Sequence, residues 1–356
     1  MASDKKSKAV LRFHKSPVAI NIRLKTTVTL TNWVRLNNAP LLLPRASAVQ
    51  WNDYIFVLAS DGTALLYHAT NAMWSVLISC NETLPPEGPP PLALYKGEVI
   101  TVSINGTVLC YSKRASQWKE CPELKMDLKY SYIHSIAMMS DRNNLYVIMY
   151  YGSRSNPIYG SQACHVFSYS SGHSWEKISD MEAPRSITFK SAALAGSSLY
   201  IQSGKKIHKL AIEGLKTAEL VPELSPAKKQ KTEEFVQMTS PNMPPLKGST
   251  LHAINNELFS FGGRDENNQP TSDVLRYNPD TDTWESAGYL RSARYNVAVA
   301  NVEIDTKKEV FVLGGSFGSK SLQTPLKVHA PSTISSTTSS NDDWECSTSM
   351  MEKCVV

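Results

Sequence analysis

One framework recurs along this chain and limits what it can fold into. An aromatic residue is followed by a tryptophan seven positions on in Tyr67/Trp74, Tyr111/Trp118 and Tyr277/Trp284, and six positions on in Tyr169/Trp175. Ahead of each pair, at the end of an apolar run, stands a glycine: Gly62, Gly106, Gly263 and Gly152 respectively. The runs are short, rich in β-branched and aromatic residues, and bounded by Gly, Asn, Asp or Pro, as strands of a meander are. Self-similarity at roughly 40–60 residues points to a propeller or a solenoid. A lone four-stranded meander leaves apolar faces and edges bare, and a ring of copies covers them.

The clearest copy spells out the unit. Leu251 to Ile254 is a strand, Asn255-Asn256 a turn, and Leu258 to Phe261 a second strand stopped by Gly262-Gly263. Val274 to Tyr277 is a third strand, Asn278-Pro279-Asp280 turns the chain, and Trp284 opens a fourth. The next copy brings Arg294 and then Glu309 to Gly315, ending in Gly314-Gly315. These residues resemble the kelch family of β-propellers. The resemblance covers roughly residues 25–330 and is specific in these two copies. Earlier copies depart from the family pattern by keeping one glycine of the pair, at Gly62, Gly106, Gly152 and Gly204.

Counting the units gives an all-β, six-bladed kelch-type propeller, each blade a four-stranded antiparallel sheet. Fourth-strand anchors are Trp74, Trp118, Trp175, Phe235, Trp284 and Trp33. Phe235 takes a tryptophan position because Pro244 and Pro245 follow it at the offsets at which Pro184 and Arg185 follow Trp175. Leu210 then fills the aromatic slot, and a basic insert loop occupies residues 213–232. Trp33 has no upstream pair, so its strand supplies the missing fourth strand of the last blade and closes the ring. Seven blades is the alternative, if Trp344 starts a strand of its own. Residues 1–24 are expected to be a partly disordered N-terminal extension, 25–330 the propeller, and 331–356 a Ser/Thr-rich disordered tail.

Composition removes several function classes. A net charge of +5 is mild and spread out, which gives no argument for nucleic acid. No apolar run approaches the length of a membrane span, and residues 9–24 hold no secretion h-region. Sequons at Asn81 and Asn105 then read as accidental, and the protein as cytoplasmic and monomeric. The six cysteines lack CxxC or metal-ligand spacing, so reduced thiols and no metal are expected. Lys228, Lys229 and Lys231 resemble a short nuclear-import signal, although a solvated loop is the plainer reading.

Chemistry is hard to find. Ser168 to Trp175 is similar to the sialidase Asp-box, but Ser170 stands where the Asp belongs. Some kelch-type propellers are copper oxidases, yet the eight histidines here are scattered. Only Cys164 and His165 are adjacent, and neighbours on a strand point to opposite faces. The expectation is a protein that is not an enzyme and takes no cofactor.

The resemblance implies a protein-interaction module, an adaptor or scaffold. Substrate recognition for a ubiquitin ligase and cytoskeletal binding are alternatives within the family. The 24 residues ahead of the first strand-like stretch are too few for an oligomerising or ligase-docking companion. Loops after second strands and between blades share one face, and binding in repeat folds favours such loops. That face gathers Arg45, Arg154, Arg185, Arg264, Arg294 and Lys320 with Tyr159 and Asp265, which suits an acidic protein or peptide partner. For Arg45, Arg185 and Arg294, at matching places in the repeat, hydrogen bonding to loop carbonyls is the competing role.

Overall fold

The computed structural model describes residues 30, 33–41, 43, 45–85, 88–121, 133–151, 163–170, 175–182, 189–203, 206–212, 236–239, 247–304, 307–317 and 351–355. Within them the chain is all-β: six antiparallel sheets of four strands each. Blade one is β2 (Ala46–Trp51), β3 (Tyr54–Ala59), β4 (Ala64–His68) and β5 (Met73–Val76). Blade two is β6 (Ala93–Tyr95), β7 (Glu98–Val102), β8 (Val108–Ser112) and β9 (Gln117–Glu120). Blade three is β10 (Ile133–Ser140), β11 (Asn144–Tyr151), β12 (Ala163–Ser170) and β13 (Glu176–Glu182). Blade four is β14 (Phe189–Ala195), β15 (Ser198–Ser203), β16 (Lys206–Ala211) and β17 (Val236–Gln237). Blade five is β18 (Thr250–Ile254), β19 (Glu257–Phe261), β20 (Asp273–Asn278) and β21 (Thr283–Tyr289). Blade six joins both ends of the chain: β22 (Ala298–Ile304), β23 (Lys307–Leu313), β24 (Met351–Val355) and β1 (Val34–Arg35).

The aromatic-to-tryptophan spacing is cross-strand register made visible in sequence. Tyr67 faces Trp74, Tyr111 faces Trp118 and Tyr277 faces Trp284 across the third and fourth strands. Their rings lie 4.9, 5.4 and 5.4 Å apart between centroids, within the range of favourable aromatic pairs. The indoles also tie blades together. Trp118 donates from Nε1 to the Ile78 carbonyl at 3.2 Å, and Trp74 to the Asn37 carbonyl at 3.4 Å. Ile78 lies four residues past Trp74, and Asn37 four past Trp33. Trp33 therefore serves blade one as Trp74 serves blade two.

Each sheet has two apolar faces, and six clusters fill the gaps between neighbouring blades. The cluster of Phe56, Val99 and Tyr111 joins blades one and two, and that of Tyr67, Phe311 and Leu313 joins blades six and one. First strands line a central channel of about 440 Å³, and β2 packs against β22 to complete the circle. Small polar side chains stitch those strands across blades. Ser47 Oγ donates to the Pro90 carbonyl at 2.6 Å, Thr250 Oγ1 to that of Val297 at 2.7 Å, and Asn301 Nδ2 to that of Ala253 at 2.6 Å.

The C-terminus departs from expectation. Residues 351–355 are not tail but β24, the third strand of blade six, with Val310 opposite Cys354 and Val34 opposite Lys353. Met351 and Cys354 are buried, and Lys353 pairs with the Glu309 carboxylate at 2.8 Å. Continuing the register by one residue sets Trp33 opposite Cys354, so cysteine fills the slot that tyrosine holds in blades one, two, three and five. That strand lacks an aromatic and a flanking glycine, which hid it. Leu30 extends the clasp by donating its amide to the Ala287 carbonyl of blade five at 2.7 Å.

The cysteines also differ from expectation. Cys110 of β8 and Cys121, just past β9, form a disulfide with Cα atoms 6.1 Å apart. Hairpin register brings them together: the Cys121 amide donates to the Val108 carbonyl at 2.8 Å. Spacing rules for CxxC pairs do not detect such a meeting. Phe235, Trp344, residues 1–24 and the 213–232 insert lie outside the described residues, and β17 begins at Val236.

Candidate functional site

Among the described residues, the mouth of the channel is built from loops that enter blades one, two, five and six and from the loop that follows the second strand of blade five. The diglycine after β19 sets its geometry. Gly262 has φ +57°, and a Cβ there would overlap the Arg294 carbonyl oxygen. Without side chains, the loop comes close enough for the Gly263 amide to donate to that carbonyl at 3.0 Å. The next residue, Arg264, donates its amide to the Lys247 carbonyl at 2.8 Å. The matching bond in blade six runs from Ser316 to the Tyr295 carbonyl at 2.8 Å, and in blade one Ser60 donates to the Arg45 carbonyl at 3.0 Å. Lys247 and Tyr295 thus hold corresponding bonded positions in blades five and six, and Arg45 stands near them in the entry to blade one.

These residues surround a cavity of about 320 Å³ that shares Ala46, Pro89, Thr250 and Val297 with the channel lining. Arg45, Lys247 and Arg264 line it, and among the described residues no carboxylate does. The Arg264 guanidinium stacks on the Tyr295 ring at 3.7 Å, which orients it while leaving its donors for another partner. Lys247 Nζ donates to Asn268 Oδ1 at 2.6 Å. Among the described residues neither Arg264 nor Lys247 forms an ion pair. The result is a fixed positive patch at the end of a mostly uncharged channel. Deeper in the channel, burial pushes His252 down to about 4, against an opposing hydrogen bond with Asn301, so it adds no charge at neutral pH.

Of the residues singled out from sequence, Arg45 and Arg264 meet here. Asp265 sits beside them but holds its own loop: Oδ1 accepts the Gln269 amide at 2.7 Å. Arg294 is 0% exposed and donates from Nη1 to the Gly314 carbonyl at 3.2 Å, so it belongs to the scaffold. Arg154, Tyr159, Arg185 and Lys320 lie outside the described residues. Lys247 and Tyr295 were missed. Tyr295 directly follows Arg294, and along extended backbone neighbouring side chains point opposite ways, so Arg294 turns into the scaffold and Tyr295 lines the cavity.

The kelch motif model matches residues 245–291, which span the entry loop and all four strands of blade five. Six such sheets closed into a ring complete the assignment. The chain is a kelch-repeat propeller. No curated protein matches the kelch chain in sequence. Among solved structures, one titled "Structure of YjhT" is similar in fold, with a TM-score of 0.53 at 11% identity, over 80% of this chain and 93% of that one. At that identity the likeness speaks to fold alone.

Proposed function

We propose that this kelch propeller is a non-catalytic interaction module that takes an acidic segment of a partner protein at the channel mouth. The observation that carries the reading is the convergence of Arg45, Lys247 and Arg264 on one cavity, with Arg264 stacked on Tyr295. A bidentate guanidinium held flat on an aromatic ring suits a carboxylate, and a recessed mouth strengthens its field. The rigid ring holds these charges in place before binding, which reduces the ordering cost of association.

The test is binding of a fluorescent oligo-glutamate peptide to the purified chain. Arg264→Glu with Lys247→Glu should weaken binding by about tenfold or more, and added salt should weaken the wild type. Lys308→Glu, on the opposite end of the ring, should leave it unchanged. If the double reversal binds as tightly as the wild type, the site is misassigned.

A further inference from the structure

The disulfide of blade two is asymmetric in a way that gives each sulfur a separate role. Cys110 is 7% exposed and packed in the core between blades two and three, whereas Cys121 is half-buried at its edge. The other described cysteines are shut away. Burial pushes the Cys80 thiol up, and burial together with Glu309 raises Cys354 to about 11, which leaves both poor nucleophiles. Cys164 is 0% exposed. Among the described residues, thiol chemistry with a dissolved reagent therefore has one entrance, Cys121.

We propose that Cys121 and Cys110 form a thiol-exchange site for a low-molecular-weight disulfide of the glutathione type, with Cys121 the exchanging sulfur and Cys110 the resolving one. In the dithiol form, the Cys121 thiolate attacks one sulfur of oxidised glutathione and expels a glutathione thiolate. The Cys110 thiolate then attacks the Cys121 sulfur, closes the protein disulfide and expels the second glutathione. Two protein thiols lose two electrons, one glutathione disulfide gains them, and the two cysteine protons pass to the departing thiolates. The reverse begins with reduced glutathione at the Cys121 sulfur and Cys110 as leaving group. Closure pins β9 to β8, so oxidation stabilises blade two. Constraining a loop with a sequence separation of 11 should shift the folding equilibrium about a hundredfold.

Glu98 tunes the entrance. Its carboxylate lies within 4.8 Å of both sulfurs and is exposed, so it repels an arriving thiolate. Glu98→Gln should speed exchange by about fivefold, the size of one like-charge contact near 4 Å in water.

The experiment incubates the purified chain with defined ratios of oxidised and reduced glutathione, then maps cysteine states by alkylation and peptide mass. Wild type should pass between dithiol and Cys110–Cys121 disulfide. Cys110→Ser should accumulate one glutathione on Cys121, while Cys121→Ser should leave Cys110 as a thiol. Glu98→Gln keeps both cysteines and tests the same site without removing the pair. Equal adduct formation on Cys110 and Cys121 in the two serine variants would overturn the assignment. So would a wild-type pair that stays reduced in excess oxidised glutathione, or an exchange rate unchanged in Glu98→Gln.

Discussion

Replacing Gly262 with alanine separates two costs that the kelch diglycine avoids. The first is conformational: at φ +57° a Cβ costs about 1–2 kcal/mol. The second is contact, because the added carbon overlaps the Arg294 carbonyl, a backbone atom that cannot swing aside. Separating the loops would stretch the Gly263-to-Arg294 hydrogen bond, worth about 1 kcal/mol, and add overpacking strain of about 1–3 kcal/mol. The total expected is about 3–6 kcal/mol. Gly97→Ala is the matched control: φ is +80°, but nothing lies within 4 Å of its Cβ, so only the conformational cost applies. Denaturant unfolding should therefore give a midpoint for Gly262→Ala well below that of Gly97→Ala. Arg264 lies two residues on, so Gly262→Ala should also weaken oligo-glutamate binding, and Gly97→Ala should not. Equal midpoints for the two variants would refute the close-approach argument.

Trp33→Ala should cost about 3–5 kcal/mol in denaturant unfolding, because it empties a core position at the seam that joins the chain ends. A change within the range of exposed substitutions would contradict the closure. Tyr295→Leu should weaken oligo-glutamate binding without unfolding the ring, since it removes the surface that orients Arg264, and calorimetric titration would show it. His252 is held neutral by burial, so its contribution is present above the unfolded value of 6.5 and lost as pH falls toward about 4. His252→Gln should flatten the stability profile between those two values, as followed by thermal unfolding.

Much of the fold is legible in sequence because it is written in short-range terms. Tyr277 and Trp284 pair across a turn of a few residues, and a spacing of seven encodes that register directly. Gly262-Gly263 marks the close approach of two loops. Met351–Val355 escaped because Cys354, not tyrosine, faces Trp33, and the strand's apolar positions are short and unflanked. The site was half legible: Arg45 and Arg264 could be sorted to one face by strand direction, but their company could not. Lys247 and Tyr295 join them only through loop hydrogen bonds between segments far apart in sequence.

The chain's own order of residues determined the strand frame and the role of Trp33 and favoured six blades over seven, since each depends on local spacing and on alternation along a strand. Tertiary structure alone decided that Arg294 turns inward while Tyr295 turns outward beneath Arg264, and that Cys121 reaches Cys110. Those outcomes depend on which way a side chain points once blades are packed together. That direction follows from contacts across the ring, which no local pattern in the sequence carries.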